Sequence, residues 1–120
     1  MPNTQEYNYL NVNQSLAQNA EASGTASVFA PILETFREFE QNLRPEQEIA
    51  LKLGSFGHSI TIFVEEIRFI GDSILVFQGN SPSGENATLM QNIHELSFVL
   101  AAIPKSPLVD KPRRIRYPEL

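Results

Sequence analysis

The chain has 120 residues, 42% of them hydrophobic, with a formal net charge of −5 and no cysteine. That length suits one domain with a small core and polar extensions, and the missing cysteine excludes disulfides, thiolate metal sites and cysteine nucleophiles. Residues 1–104 carry twelve acids and four bases, whereas residues 105–120 carry five bases and two acids, so the acidic body disfavours non-specific binding to nucleic acid or anionic membrane.

No apolar run approaches the roughly 18 residues that span a bilayer. The start, MPNTQEYNYLNVNQ, has neither the basic nor the apolar region of a secretory signal. A soluble, cytoplasmic protein is expected.

Residues 1–26 are rich in Asn, Gln, Ser and Ala. They bury too little to offset their ordering entropy and read as a disordered arm, with a short helix conceivable at Leu10–Ala22. Ser27 then reads as an N-cap, with Pro31 in the first turn of a helix. Phe29, Ile32, Leu33, Phe36, Phe39 and Leu43 recur at steps of three and four. They predict an amphipathic helix over 28–43 that stops before Pro45.

From Ile49 to Gly79 the pattern becomes that of an antiparallel meander. Ile49, Leu51 and Leu53 alternate with Ala50 and Lys52 in a first strand, and Gly54–Gly57 turns the chain. A second strand follows through Ile60, Ile62 and Val64. Its parity changes after Glu65-Glu66, where Ile67 and Phe69 become the apolar positions, so either a β-bulge sits at the Glu pair or both faces bury apolar groups. Gly71-Asp72 turns again into Ile74–Phe77, apolar on both sides, and Ala87–Gln91 is a plausible fourth strand. Asn92 and Glu95 read as a capping box. With the stripe Ile93, Leu96, Leu100 and Ile103, they predict a second helix over 92–103. Four prolines from Pro104 to Pro118 keep the tail extended.

The expected architecture is two-layer α+β: helix, a meander of three or four strands, helix, tail. It comprises an arm (1–26), one domain (27–104) and a basic Pro/Arg tail (105–120). Two helices cover one sheet face, and the apolar second face predicts a homo-oligomer.

Chemistry-bearing sets are sparse. His58 and His94 have no chelating spacing and no nucleophile elbow beside them. Glu65 and Glu66 are adjacent on a strand and point apart; Glu66 with Asp72 is at most a weak cation site. The glycines at 54, 57, 71, 79 and 84 punctuate hairpins and form no phosphate cradle. No catalytic residue, metal or cofactor is expected. The distinctive polar cluster is Arg113, Arg114 and Arg116, with Lys111 and Tyr117. Guanidinium groups grip phosphates or carboxylates in bidentate fashion, and Tyr117 or Phe77 would stack on a base. The alternative is that this tail docks on its own acidic body, at Glu34, Glu38 or Glu40.

Several stretches also carry a resemblance: Leu53–Gly57, Ile60–Val64, Ile74–Gly79, Gln91–Leu100 and Pro112–Ile115. The "SFG" turn, an "L-I-x-F-x-G"-like strand, "Q-x-x-x-x-L-S" and "P-x-R-I" resemble a small bacterial family catalogued only as a domain of unknown function. The likeness spans about 28–116 and departs at Arg116, where that pattern has Gly. It implies a fold and a bacterial or phage origin, and no activity.

The function expected is a non-enzymatic, homo-oligomeric binding module. Its ligand would be a small anionic, nucleotide-like molecule held at a subunit interface by Arg113, Arg114, Arg116, Tyr117 and Phe77. A phage-type protein sequestering a nucleotide signal is one concrete version. The alternative is a structural adaptor that meets a protein partner through its open sheet face or N-terminal arm.

Overall fold

The computed structural model describes residues 25–55 and 57–119. The expected arm, up to residue 24, lies outside them. The apolar stripe of Phe29, Ile32, Leu33, Phe36 and Phe39 is buried along one helix, α1 (Thr25–Gln41). Each such side chain contributes about 1.5–3 kcal/mol on burial, so packing of this face, more than intrinsic propensity, holds the helix. The helix starts before the predicted cap at Ser27, so Pro31 stands inside it. It closes through Asn42 N–H to Phe39 O (3.2 Å) and Leu43 N–H to Glu40 O (3.1 Å), just ahead of Pro45.

Five strands follow: β1 (Gln47–Ser55), β2 (His58–Ile70), β3 (Ile74–Asn80), β4 (Asn86–Asn92) and β5 (Val99–Pro104). They form one antiparallel sheet in the order β4-β3-β2-β1-β5. The chain is thus α+β with one described helix and a larger sheet than the sequence pattern predicts.

The second helix expected over 92–103 is not formed. Asn92 does cap, its Oδ1 accepting His94 N–H at 2.9 Å, and Glu95 N–H donates to Asn92 O at 2.9 Å. That capping closes a turn and goes no further. Ile93, Leu96 and Leu100 are all buried, but the chain reaches these positions through a turn and then a strand. Val99–Pro104 pairs with the otherwise open edge of β1, Lys52 opposite Val99 through Gln47 opposite Pro104. Those ladder hydrogen bonds would be lost in a helix, leaving β1 unpaired on that side.

The parity change at Glu65-Glu66 is a bulge: the β2–β3 register shifts between Val64 and Glu66. Opposite it lies Gly79, paired with Val64 and buried. A Cβ at Gly79 would collide with the Phe63 carbonyl oxygen and lie 2.8 Å from its carbon. Only glycine lets the strands approach so closely there.

The core lies between α1 and the sheet face carrying Ile49, Leu51, Ile62, Val64, Ile67, Leu75, Phe77 and Leu100, and Ile93, Leu96 and Ile115 join it. Phe29 stacks on Phe69 (4.5 Å), and Phe77 packs with Phe36 (5.6 Å) and edge-on with Phe98 (5.2 Å). Ala50, Phe63, Val76 and Ala101 are buried as well but stand outside that cluster. By strand alternation they belong to the second face. Among the described residues no helix is long and apolar enough to cross a membrane.

Candidate functional site

The polar centre of the molecule lies on the second face, at the end where β1 begins and β3 ends. Glu48 alternates with Ile49, and its side chain is 1% exposed. A lone buried carboxylate is costly without a cation, and the tail supplies one. Arg113 Nε and Nη2 reach Glu48 Oε1 at 3.1 and 2.7 Å, and the Arg113 backbone N–H reaches Oε2 at 2.8 Å. Its Nη1 donates to Glu65 Oε1 (3.1 Å) and Asn80 Oδ1 (2.9 Å). The guanidinium lies 4.9 Å over the Phe63 ring. Burial pulls the Arg113 pKa down, but the hydrogen bonds and charges of Glu48 and Glu65 outweigh it and raise the pKa above the ordinary arginine value.

Beyond Arg113 the tail runs beside β2, past the point where β1 starts. Arg116 N–H donates to Glu65 O (2.9 Å), and Ile67 N–H donates to Arg116 O (3.0 Å), a one-bridge parallel extension of the sheet. Ile115 drops into the core. Its N–H donates to Glu40 Oε2 at 2.7 Å, and the Tyr117 hydroxyl donates to Glu40 Oε1 at 3.3 Å. Arg37 covers the Tyr117 ring at 4.7 Å. Burial first, then the Glu40 charge and hydrogen bond, push the Tyr117 pKa well above that of a free phenol, with Arg37 opposing.

The five residues expected to grip a ligand therefore occupy different settings. Arg113 has four side-chain hydrogen bonds to its own chain, of the five that a guanidinium can donate. Arg114 is exposed and uses Nη1 on the carbonyls of Gln47 (2.7 Å) and Arg113 (2.9 Å). Arg116 has a side chain 73% exposed, with only a 3.8 Å approach to Glu66. Tyr117 is half-buried against α1. Phe77 is fully buried in the core, on the sheet face opposite the Arg113 cluster. Glu48, Phe63 and Asn80 escaped sequence reasoning. The signal for Glu48 was its place in β1, where it shares a face with Ala50. Of the three acids named as docking points, Glu40 receives the tail.

Among the described residues no cluster of His, Asp or Glu is arranged to hold a metal ion. A cavity of about 160 Å³ opens beside Arg113, lined also by Asn80, Ser81, Ser106 and Leu108.

A model for a family of unknown function, DUF6173, matches residues 16–117. The chain belongs to that family. The match takes in α1, all five strands and the tail through Tyr117, so the Arg113–Glu48 and Tyr117–Glu40 contacts both fall inside the DUF6173 unit. No curated protein and no solved structure matches the chain.

Proposed function

We propose that this domain is a non-enzymatic binding module that associates with a second copy of itself through the sheet face opposite α1. The observation that carries the reading is the exposure of Ile70 (47%) and Met90 (57%). Both fall on that face, Met90 directly opposite Val76 and Ile70 opposite Ile74. Among the described residues the tail packs near Phe63, while Ile70 and Met90 keep exposed apolar surface for a partner. Lys52 and Arg68, exposed on the same face and without an acidic partner among the described residues, suit the acidic body of another molecule. A protein partner of that character is the adaptor version of the same reading.

Light scattering coupled to size-exclusion chromatography tests it. The wild type should exceed the 13.5 kDa chain mass, and Ile70→Glu should return it toward monomer. A monodisperse wild-type monomer would remove the reading.

A second reading, a small anionic ligand, is favoured by the exposure of Arg114 and Arg116 on one short extended stretch. Arg116 would offer its guanidinium to a phosphate, with the charge of Arg114 beside it while the Arg114 Nη groups hold the carbonyls of Gln47, Arg113 and Arg44. A thermal-shift panel of nucleotides and cyclic nucleotides should find a stabilising compound whose effect disappears in Arg114→Ala/Arg116→Ala. Equal stabilisation of that variant would count against it.

A further inference from the structure

Strand β4 forms one edge of the sheet, paired on its inner side with β3 alone. Natural edge strands are kept apart by charge, proline, bulges or a covering segment. The β4 sequence, NATLMQN, has no charge and no proline, and its pairing with β3 is unbroken from Asn86 to Asn92. From Asn86 to Gln91 no backbone group bonds to anything beyond β3 among the described residues. In a chain that is 19% charged, seven neutral residues on an edge that is unpaired among the described residues form a surface that repels no second strand.

The geometry points to β4 as a homodimer edge, pairing antiparallel with β4 of a second copy about a two-fold axis at Leu89 to make one ten-stranded sheet. A two-fold dimer joined through one strand must pair it antiparallel with itself. Centring on Leu89 sets Thr88 opposite Met90 of the other copy, Ala87 opposite Gln91, and Asn86 opposite Asn92. Faces match in this register. Even-numbered residues continue the second face, and odd-numbered ones continue the core face. Leu89, which is only partly buried against the core, meets its own counterpart and completes its burial. Met90 gains Thr88 of the partner copy as cover. The partner is a second copy rather than an unrelated strand because every opposed pair in this register is chemically compatible without a charge. This inference rests on the self-association proposed above and goes beyond it by assigning a contact to the sheet edge.

The test is a charge exchange read by light scattering on the full chain across a dilution series. Thr88→Lys/Met90→Lys sets lysine against lysine across the axis, and Thr88→Glu/Met90→Lys sets glutamate against lysine. Thr88 and Met90 are exposed, so both variants should fold with the circular dichroism of the wild type. The wild type should show twice the chain mass, the Lys/Lys variant the chain mass alone, and the Glu/Lys variant the doubled mass again. A monomeric wild type overturns the inference, as does a Lys/Lys variant that stays dimeric or a Glu/Lys variant that does not. Ile70→Glu, away from this edge on β2, separates the two proposals. Because Met90 lies on both surfaces, the face contact predicts dispersal by Ile70→Glu and by both double variants, whereas the edge predicts that Ile70→Glu stays dimeric and that Glu/Lys restores the dimer. Should a variant fail to fold, wild-type amide exchange decides. Concentration-dependent slowing confined to β4 supports the edge. Protection of β4 that is independent of concentration places the chain's own residues there, and overturns it.

Discussion

Arg113 grips Glu48 from three directions across 65 residues of sequence, with side-chain contacts at 2.7 and 3.1 Å and its own backbone N–H at 2.8 Å. The pair turns a basic tail into part of the fold. Removing the cation leaves a carboxylate that is 1% exposed without compensation. Arg113→Ala should therefore lose about 3–5 kcal/mol, measured by urea denaturation. Glu65→Ala should lose no more than about 1 kcal/mol, because Glu65 is 41% exposed and its ion pair is screened. An Arg113→Ala protein as stable as the wild type would show that the tail is dispensable to the fold.

Gly79 faces the backbone of Phe63 and Val64 across the bulge, with no flexible side chain to give way. Gly79→Ala should cost about 2–3 kcal/mol through forced separation of β2 and β3. Gly54 is the control. A Cβ there meets nothing closer than 3.9 Å, and Gly54→Ala should leave the melting temperature at or slightly above that of the wild type.

Tyr117 carries a phenol whose folded-state pKa is raised, first by burial and then by Glu40. The neutral form is favoured in the folded state, so its contribution is complete below the unfolded pKa of about 10 and is lost as pH rises above it toward the folded value. Between neutral and strongly alkaline pH, the wild type should lose melting temperature more steeply than Tyr117→Phe. The two curves should be parallel below pH 9 or so. Parallel curves throughout would mean that the phenol is not buried against Glu40.

Glu40 accepts from both Ile115 N–H and the Tyr117 hydroxyl. Glu40→Ala leaves a partly buried amide without an acceptor and should cost about 1–3 kcal/mol. Hydrogen exchange should accelerate at Ile115 in particular, while the Glu48-bound amide of Arg113 stays protected. Uniform acceleration across the domain would instead indicate global destabilisation.

What was legible in the sequence was local. The helix stripe from Phe29 to Phe39, the alternation in β1, the parity break at Glu65-Glu66 and the turn at Gly71 all follow from periodicity and backbone preference. The 92–103 stretch misled because Ile93, Leu96 and Leu100 have helical spacing and face the same core, while Val99–Ile103 also reads as a short apolar strand. Periodicity alone does not separate the two over so few residues. The tail was legible as basic and extended, but its individual arginines were not distinguishable. Arg113 is committed to Glu48, whereas Arg116 stands in solvent, and nothing in R-R-I-R distinguishes them.

By itself, then, the amino-acid sequence determined a small α+β domain with an amphipathic helix, a meander whose parity breaks at Glu65-Glu66, an acidic body and a basic tail. Those properties depend on neighbours a few residues apart. The tertiary structure decided the rest. It gave β1 a free edge for Val99–Pro104, so that a strand formed where a helix was expected. It buried Glu48 against Arg113, and it placed the uncharged strand β4 at the sheet's rim. Each outcome turns on hydrogen-bonding groups left unpaired by one element and met by another distant in sequence, and local pattern carries no record of that meeting.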